Sequence, residues 1–161
     1  MLTLVRDEPV EAIASIARAA RATSRPFPLD EVECREVLAR VGWGVLATVD
    51  DGQPYGVPVS YALGRDCVYV GSGPGRKRTQ LEGDPRVCLT VCDVGSGERW
   101  RSVVVEGAAE PLEGMAARAV ALAAFATQRA PQATDLRRLL DARIFRLPLA
   151  GMTGRGRGAM E

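Results

Sequence analysis

Residues 43–63 read WGVLATVDDGQPYGVPVSYAL and set the expectation for the fold class of the chain. Two extended runs, 44–49 and 53–63, flank the dipeptide Asp51-Gly52. That dipeptide favours a hairpin turn because both of its residues tolerate positive φ at low cost. The sequence therefore predicts two antiparallel strands at the start of a β-rich body.

Further strand patterns follow the hairpin at 67–70, 87–94 and 99–109, and the stretch ARIFRLPLAGMTG at 142–154 predicts a last strand. Short strands with close turns indicate a barrel or a sandwich and not a doubly wound parallel sheet. Between the last two strands, a helix is marked by Met115, Ala119, Leu122 and Phe125. The predicted fold class is mainly β with flanking helices (α+β).

Two helices are predicted before the hairpin. Residues 9–22 carry apolar residues at helical spacing behind Pro9, which suits a first turn. Asp30 and Glu33 form a capping-box pattern before a second helix. That helix has an apolar stripe of Cys34, Val37, Leu38 and Val41. We predict a helical extension over 1–28, a main domain over 29–154 and a flexible Gly/Arg tail over 155–161.

Composition excludes several classes of function. The 161-residue chain has 21 Lys and Arg against 20 Asp and Glu, so its charge of +1 provides no overall field for nucleic acid or an anionic membrane. It contains no histidine, and its four cysteines form no C-x-x-C pair, so zinc sites and histidine bases are not expected. The chain shows no signal peptide and no apolar run that could span a bilayer. We expect a cytoplasmic protein without a metal.

The second strand of the hairpin has two unlike faces, because side chains alternate across a strand. The bulky face carries Tyr55, Val57, Val59 and Tyr61, and the small face carries Gly56, Pro58, Ser60 and Ala62. A flat face lets a planar ring approach, but from these residues alone close packing of a helix or a second subunit is the favoured explanation. Pro58 lacks a ladder donor, which predicts a strand edge or an interruption there.

Three cations follow a glycine-rich turn in VGSGPGRKRT, residues 70–79, and Lys77 is the only lysine of the chain. The stretch imitates G-x-G-x-x-G, but Arg76 stands at the last glycine position; it also fails the Walker A order of Gly-Lys followed by Ser or Thr. Cations in the first turn of a helix are repelled by the positive end of the helix dipole, which is unfavourable unless an anion binds there. We interpret the turn as a phosphate site, with a solvated basic turn as the alternative.

The chain resembles a known family in three stretches taken together. VLATVDDGQPYGVPVSY, GRKRTQLEGDPRV and WRSVVVEGAAEPL are similar in order and spacing to the pyridoxamine 5'-phosphate oxidase-like, FMN-binding split-barrel family, nearest its nitroimidazole-resistance branch. The resemblance covers roughly residues 29–154. It implies a six-stranded antiparallel split β-barrel that forms a homodimer, with FMN at the subunit interface.

The resemblance also implies which residues bind the cofactor. Arg76 and Lys77 correspond to the pair that holds the FMN phosphate. The flavin ring would lie along the second strand of the hairpin and meet the end of the third strand and the start of the fifth. The residues implied are Val57, Pro58, Val59, Ser60, Ser72, Trp100, Arg101 and Ser102, the last three reaching the flavin across the dimer.

Two motifs of the family are missing. Nitroimidazole-resistance proteins resemble one another in a Tyr-x-His stretch, where this chain has Tyr69, Val70 and Gly71. Pyridoxamine phosphate oxidases share a C-terminal Arg-x-His that is absent here, so that activity is not expected. The predictions left open are an FMN-dependent oxidoreductase passing electrons from a reduced nicotinamide to a small acceptor, a flavin carrier or sensor without turnover, and a deazaflavin-dependent reductase.

Overall fold

A computed structural model of the protein describes residues 25–95, 99–128 and 136–158. The helix predicted over 9–22 lies outside the described residues. Strands and helices are numbered here in chain order. The strands are β1 Phe27–Pro28, β2 Trp43–Asp50, β3 Gln53–Leu63, β4 Cys67–Ser72, β5 Arg86–Val94, β6 Trp100–Ala108, β7 Glu110–Pro111, β8 Arg143–Pro148 and β9 Met152–Arg157. The helices are α1 Glu31–Val41, α2 Arg76–Gly83, α3 Met115–Thr127 and α4 Leu136–Asp141.

The hairpin forms as predicted. Asp51 and Gly52 both have positive φ, 46° and 76°, so the turn has the backbone that suits the twist of the flanking strands. The ladder between β2 and β3 is continuous from the pair Asp50–Gln53 to the pair Trp43–Ser60. This register places the small residues of β3 on the same face as alternate residues of β2.

The strands form one curled antiparallel sheet, a half-barrel, in the order β1-β9-β6-β5-β2-β3-β4-β8-β7. The prediction of six strands is wrong, because the described residues form a 9-stranded sheet. The strand predicted over 142–154 is broken after Pro148 by a short 3-10 turn, Leu149–Gly151. The two halves pair with different neighbours, β8 with β4 and β9 with β6.

The structure extends the main domain beyond both of its predicted boundaries. Phe27 and Pro28, assigned to the extension, pair with Gly156 and Arg155. β9 continues to Arg157, so residues 155–157 belong to the sheet and not to a tail. Glycine and arginine suggested a solvated end, but the ladder with β6 supplies the backbone hydrogen bonds that the composition could not indicate.

Two groups of buried side chains lie on either side of the sheet. The larger fills the half-barrel under α1 and includes Val37, Leu38, Tyr61 and Phe145. The smaller lies between the β3-β4-β8 part of the sheet and the helices α3 and α4, and includes Phe125 and Ile144. Within the described ranges, no helix is long and apolar enough to cross a membrane.

The predicted capping box of α1 is confirmed. The backbone N–H of Glu33 donates to Asp30 Oδ1 at 2.8 Å, and the Asp30 N–H donates to Glu33 Oε2 at 3.0 Å. The helix ends at Gly42, which has a φ of 70°. The whole predicted stripe of α1 is buried.

Replacing Asp30 by alanine should lower the free energy of unfolding by about 1 kcal/mol, because the first turn of α1 loses a side-chain acceptor. Urea denaturation measures the change. Asp30→Asn keeps an acceptor oxygen and should cost much less. Equal losses in the two variants would show that the cap does not stabilise the helix.

Candidate functional site

A cleft of about 350 Å³ lies where α2 meets the edge of β3. It is lined by Tyr55, Val57, Pro58, Ser72, Gly73, Pro74, Gly75, Arg76 and Lys77. Five of the predicted cofactor residues therefore meet here: Val57, Pro58, Ser72, Arg76 and Lys77. Two other clefts in the described part are larger, at about 530 and 490 Å³, but neither is lined by a predicted residue.

One wall of the cleft is an open strand edge. β3 pairs with β2 over its length up to Ser60, but it pairs with β4 only over Tyr61–Leu63. Within the described part of the chain, no strand pairs with the other edge of 53–60, and Pro58, which has no N–H to donate, lies in this stretch. This confirms the edge predicted from Pro58.

The opposite wall is the start of α2. Gly75 precedes the helix with φ 138° and ψ −177°, a conformation essentially restricted to glycine. No side chain caps the helix, and its first turn contains no acidic residue. The amides of that turn and the positive end of the helix dipole are therefore available to an anion.

The three cations at this helix start have different surroundings. Arg78 Nε donates to Glu82 Oε1 at 3.0 Å, and Arg143 contacts the same carboxylate at 2.8 Å. Arg76 lies over the ring of Tyr55, 4.2 Å from its centroid, with Asp50 Oδ2 at 3.8 Å. Arg78 is thus paired with Glu82, a carboxylate that it shares with Arg143, whereas Arg76 is held at the cleft mainly by the Tyr55 ring.

Lys77 has no carboxylate partner among the described residues. Its Nζ donates to the carbonyl oxygen of Gly71 at 3.2 Å. Burial lowers the pKa of Lys77 below its usual value of 10.5, because the charged form loses solvation. A phosphate in this cleft would supply the negative charge that the protein does not.

Replacing Gly75 by alanine should lower the free energy of unfolding by about 1–3 kcal/mol, because alanine cannot adopt φ 138° without strain. No atom lies within 4 Å of the added methyl group, so the backbone alone carries the cost. Gly83→Ala is the matched control, since Gly83 belongs to α2, has equal space and lacks a positive φ. If both variants unfold alike in urea, Gly75 is not conformationally required.

The remaining predicted residues lie elsewhere. Val59 is buried in the half-barrel, and Ser60 is half-buried opposite Trp43 on the outer face of the sheet. Trp100 and Ser102 share one face of β6 because strand side chains alternate, and Arg101 points to the other face. There its guanidinium lies over the ring of Phe27, 5.3 Å from the centroid, and its buried Nη1 has no hydrogen-bond partner in the parts of the chain that the structure describes.

Within one chain, Ser102 cannot join the cleft. β2 and β5 separate β3 from β6, so three strand spacings, roughly 14 Å, lie between Ser60 and Ser102. The structure thus brings five of the ten predicted residues together and separates the others from them. Their approach to a flavin stays a prediction that requires a second subunit.

On the outer face of the sheet, β2 and the end of β5 expose apolar side chains, whereas β9 places Arg157 beside Trp100 and Arg155 beside Ser102. Trp43, Val45, Val49 and Val94 expose 47%, 43%, 39% and 73% of their surface. The ladder places Val45 beside Pro58 and Val94 beside Trp100. Exposed large apolar side chains gathered on one face are typical of an interaction surface.

Sequence reasoning missed Tyr55, Thr48 and Gln80. The Arg76 guanidinium lies over the Tyr55 ring, and Thr48 forms a hydrogen bond with Gln80 in the interior. These partners are more than twenty residues apart in the chain, so no local pattern connects them. The alternation along β3, which puts Tyr55 on the bulky face with Val57, was the one available signal. Across the described ranges, no group of three or more possible metal ligands is found.

A curled antiparallel half-barrel with a basic helix start beside an open strand edge defines a class of small β-barrel proteins. The chain belongs to the pyridoxamine 5'-phosphate oxidase family, whose sequence profile matches residues 30–156. This confirms the resemblance seen in the sequence.

Comparisons with individual proteins are consistent with this family assignment. A FAD-binding protein of Mesorhizobium loti is 31% identical with a TM-score of 0.71, over 84% of this chain and 99% of that one. A putative 5-nitroimidazole antibiotic resistance protein of Bacteroides thetaiotaomicron is 21% identical with a TM-score of 0.69, over 83% and 89% of the two chains, and shows the shared fold. A curated protein of Rhizobium meliloti is 39% identical over 75 residues, which span 47% of this chain and 50% of that relative.

Proposed function

We propose that the chain is a flavoprotein that holds the phosphate of FMN between the start of α2 and the edge of β3. The observation that carries this proposal is Lys77, a desolvated cation that has no carboxylate partner among the described residues and lies beside the uncapped amides of a helix. Arg76, fixed over Tyr55, is the second cation at the same cleft. The residues present therefore fit a phosphate group.

The flavin ring would extend from the phosphate along the edge of β3, where Val57 and Pro58 line the cleft and Ser72 closes it. FAD is the second candidate, because the 31% identical protein of Mesorhizobium loti is FAD-binding. A deazaflavin with a phosphate would suit the same contacts. Each of these cofactors supplies hydride or electron transfer chemistry when bound.

We further propose a homodimer formed through the outer face of the sheet. The exposed apolar residues of β2 and β5 would be buried there, and Trp100 would be an aromatic anchor. A second subunit would also bring its Trp100, Arg101 and Ser102 toward the cleft. For Arg101 this requires its side chain to leave Phe27, because it now lies on the opposite face from the other two.

The proposed reaction passes electrons from a reduced nicotinamide to a small oxidised acceptor, with nitroaromatic compounds among the candidates. The chain's own part is to orient the cofactor and to set its electrostatic surroundings. A flavin carrier or sensor without turnover is the second proposal, because the cleft supplies contacts for a cofactor and the electron-transfer chemistry would belong to the flavin itself. We propose the cytoplasm as the location, with no nucleic acid or membrane partner.

Two assays on the purified protein test the reaction. Oxidation of NADH and NADPH is followed with and without FMN and with and without a nitroaromatic or quinone acceptor, and FMN binding to the same protein is measured separately. Nicotinamide oxidation that needs both FMN and acceptor supports the oxidoreductase. Bound FMN without nicotinamide oxidation supports the carrier or sensor.

A further inference from the structure

A buried polar pair joins α2 to the hairpin. The Thr48 hydroxyl donates to Gln80 Oε1 at 2.7 Å and lies 3.3 Å from the Tyr55 carbonyl oxygen. Both side chains are almost fully buried, with 2% of Thr48 and 4% of Gln80 exposed. Thr48 and Tyr55 face each other in the ladder between β2 and β3. The pair therefore links the helix of the cations to the strand that forms the opposite wall of the cleft.

Gln80 retains a polar atom that the interior does not satisfy. Its Nε2 is buried and has no hydrogen-bond partner among the described residues. With the amide rotated by 180°, its N–H would donate to the Thr48 hydroxyl and leave that hydroxyl free to donate to the Tyr55 carbonyl oxygen, but the buried Gln80 Oε1 would then be the atom without a partner among the described residues. An apolar side chain of similar size would avoid this desolvation cost, so stability alone does not account for glutamine here.

Helix α2 has few other attachments to the fold. Only Gln80 and Leu81 of its eight residues are buried. At the surface, Glu82 accepts from Arg143 of β8, Arg76 lies over the Tyr55 ring, and Lys77 donates to the Gly71 carbonyl oxygen. Gln80 follows Arg76 by four residues and Lys77 by three, so it lies on the same side of the helix. Among the described residues, the hydrogen bond between Gln80 and Thr48 is a buried polar contact between this side of the helix and the interior of the hairpin.

We infer that Gln80 is a positioning residue which, through the Thr48 hydroxyl, sets the distance between the cations of α2 and the edge of β3. This inference rests on the proposed flavin function, since that distance decides whether one ligand can meet both walls. Loss of the hydrogen bond should weaken the binding of ligands that contact both walls of the cleft. It should leave unchanged the binding of ligands that contact only β3. FMN needs both, whereas riboflavin, which lacks the phosphate, needs one.

Two variants of Thr48 isolate the hydrogen bond from packing. Thr48→Val keeps the volume and removes the hydroxyl, whereas Thr48→Ser keeps the hydroxyl and removes a methyl group. We expect Thr48→Val to weaken FMN binding by roughly three- to tenfold, the value of one neutral hydrogen bond, and to leave riboflavin binding unchanged. Thr48→Ser should preserve the FMN to riboflavin ratio. Gln80→Met should match Thr48→Val, and the double variant should be no weaker than either single one.

The single lysine gives a second readout that needs no flavin. Protein labelled with ¹³C-lysine shows one lysine side chain, so NMR titration reports the pKa of Lys77 alone. Thr48→Val should raise that pKa toward the usual value as the helix moves and Lys77 gains water, and Thr48→Ser should not.

The outcomes separate the two proposals. If the wild type binds neither FMN nor riboflavin, the proposed function fails, and the Lys77 titration alone decides the positioning role. Equal effects of Thr48→Val and Thr48→Ser on that pKa overturn the inference. Where flavin does bind, parallel losses of FMN and riboflavin in Thr48→Val also overturn it, because they indicate a purely structural role.

Discussion

Lys77→Ala is expected to weaken FMN binding by about ten- to a hundredfold. A charge-assisted hydrogen bond contributes about 1.5–3 kcal/mol, and each 1.4 kcal/mol is roughly tenfold in affinity. Riboflavin should bind the variant and the wild type equally, because it offers no phosphate to Lys77. Fluorescence titration of both ligands measures the two affinities in one experiment.

The neighbouring Arg78 supplies the matched control. It is one residue away and equally cationic, but it is engaged by Glu82. Arg78→Ala should therefore change FMN affinity much less than Lys77→Ala does. If the two variants lose FMN alike, or if Lys77→Ala loses riboflavin in proportion, the cluster does not bind a phosphate.

The stability of the empty protein should respond in the opposite direction. Because the pKa of Lys77 is lowered in the folded state, the unfolded chain binds more protons between that pKa and 10.5, so stability rises with pH across this window. Alanine removes a desolvated charge that opposes the helix dipole. The apo form of Lys77→Ala should melt no lower than the wild-type apo form, and this part of the pH dependence should disappear.

Val45→Asp is expected to dissociate the dimer and, with it, to release the flavin. Val45 lies beside Pro58 on the outer face and exposes 43% of its surface in the single chain. A buried carboxylate without a partner costs about 3–5 kcal/mol, and a two-fold interface contains it twice. Light scattering at micromolar concentration measures the mass, and absorbance at the flavin band measures the retained cofactor.

Val32→Asp makes the same change on α1, where Val32 is 65% exposed and away from the sheet. This control should keep the mass and the flavin content of the wild type. A wild-type protein that is monomeric with flavin still bound would contradict the dimer. So would a Val45→Asp variant that keeps the dimer mass.

Local patterns predicted the elements whose hydrogen bonds are local. The Asp51-Gly52 turn and the Asp30–Glu33 capping box each involve residues close in the chain, so their residue types alone were sufficient. The free edge at Pro58 followed from the missing N–H. The break between β8 and β9 could not be predicted from local sequence. It arises because the two strands pair with different strands, β4 and β6, that are distant from them in the chain.

The same limit applies to the candidate site. Glycines and cations in sequence indicated the start of α2, and the family resemblance added Val57, Pro58 and Ser72 to the cleft. The unlike environments of Arg76, Lys77 and Arg78 arise from Tyr55, Gly71 and Glu82, and only the last is a neighbour on the same helix. Arg101 points to the opposite face of β6 from Trp100 and Ser102, because side chains alternate along a strand. Matching the motif WRS to the family did not take this alternation into account.

The central claim is that the cleft between α2 and β3 binds the phosphate of a flavin, and the most direct measurement is calorimetric titration of the unmodified apo protein with FMN and with riboflavin. The account predicts one FMN per chain, bound at least tenfold more tightly than riboflavin, since a charged phosphate contact is worth about 1.5–3 kcal/mol. Equal affinities for the two ligands, or binding of neither, would contradict it.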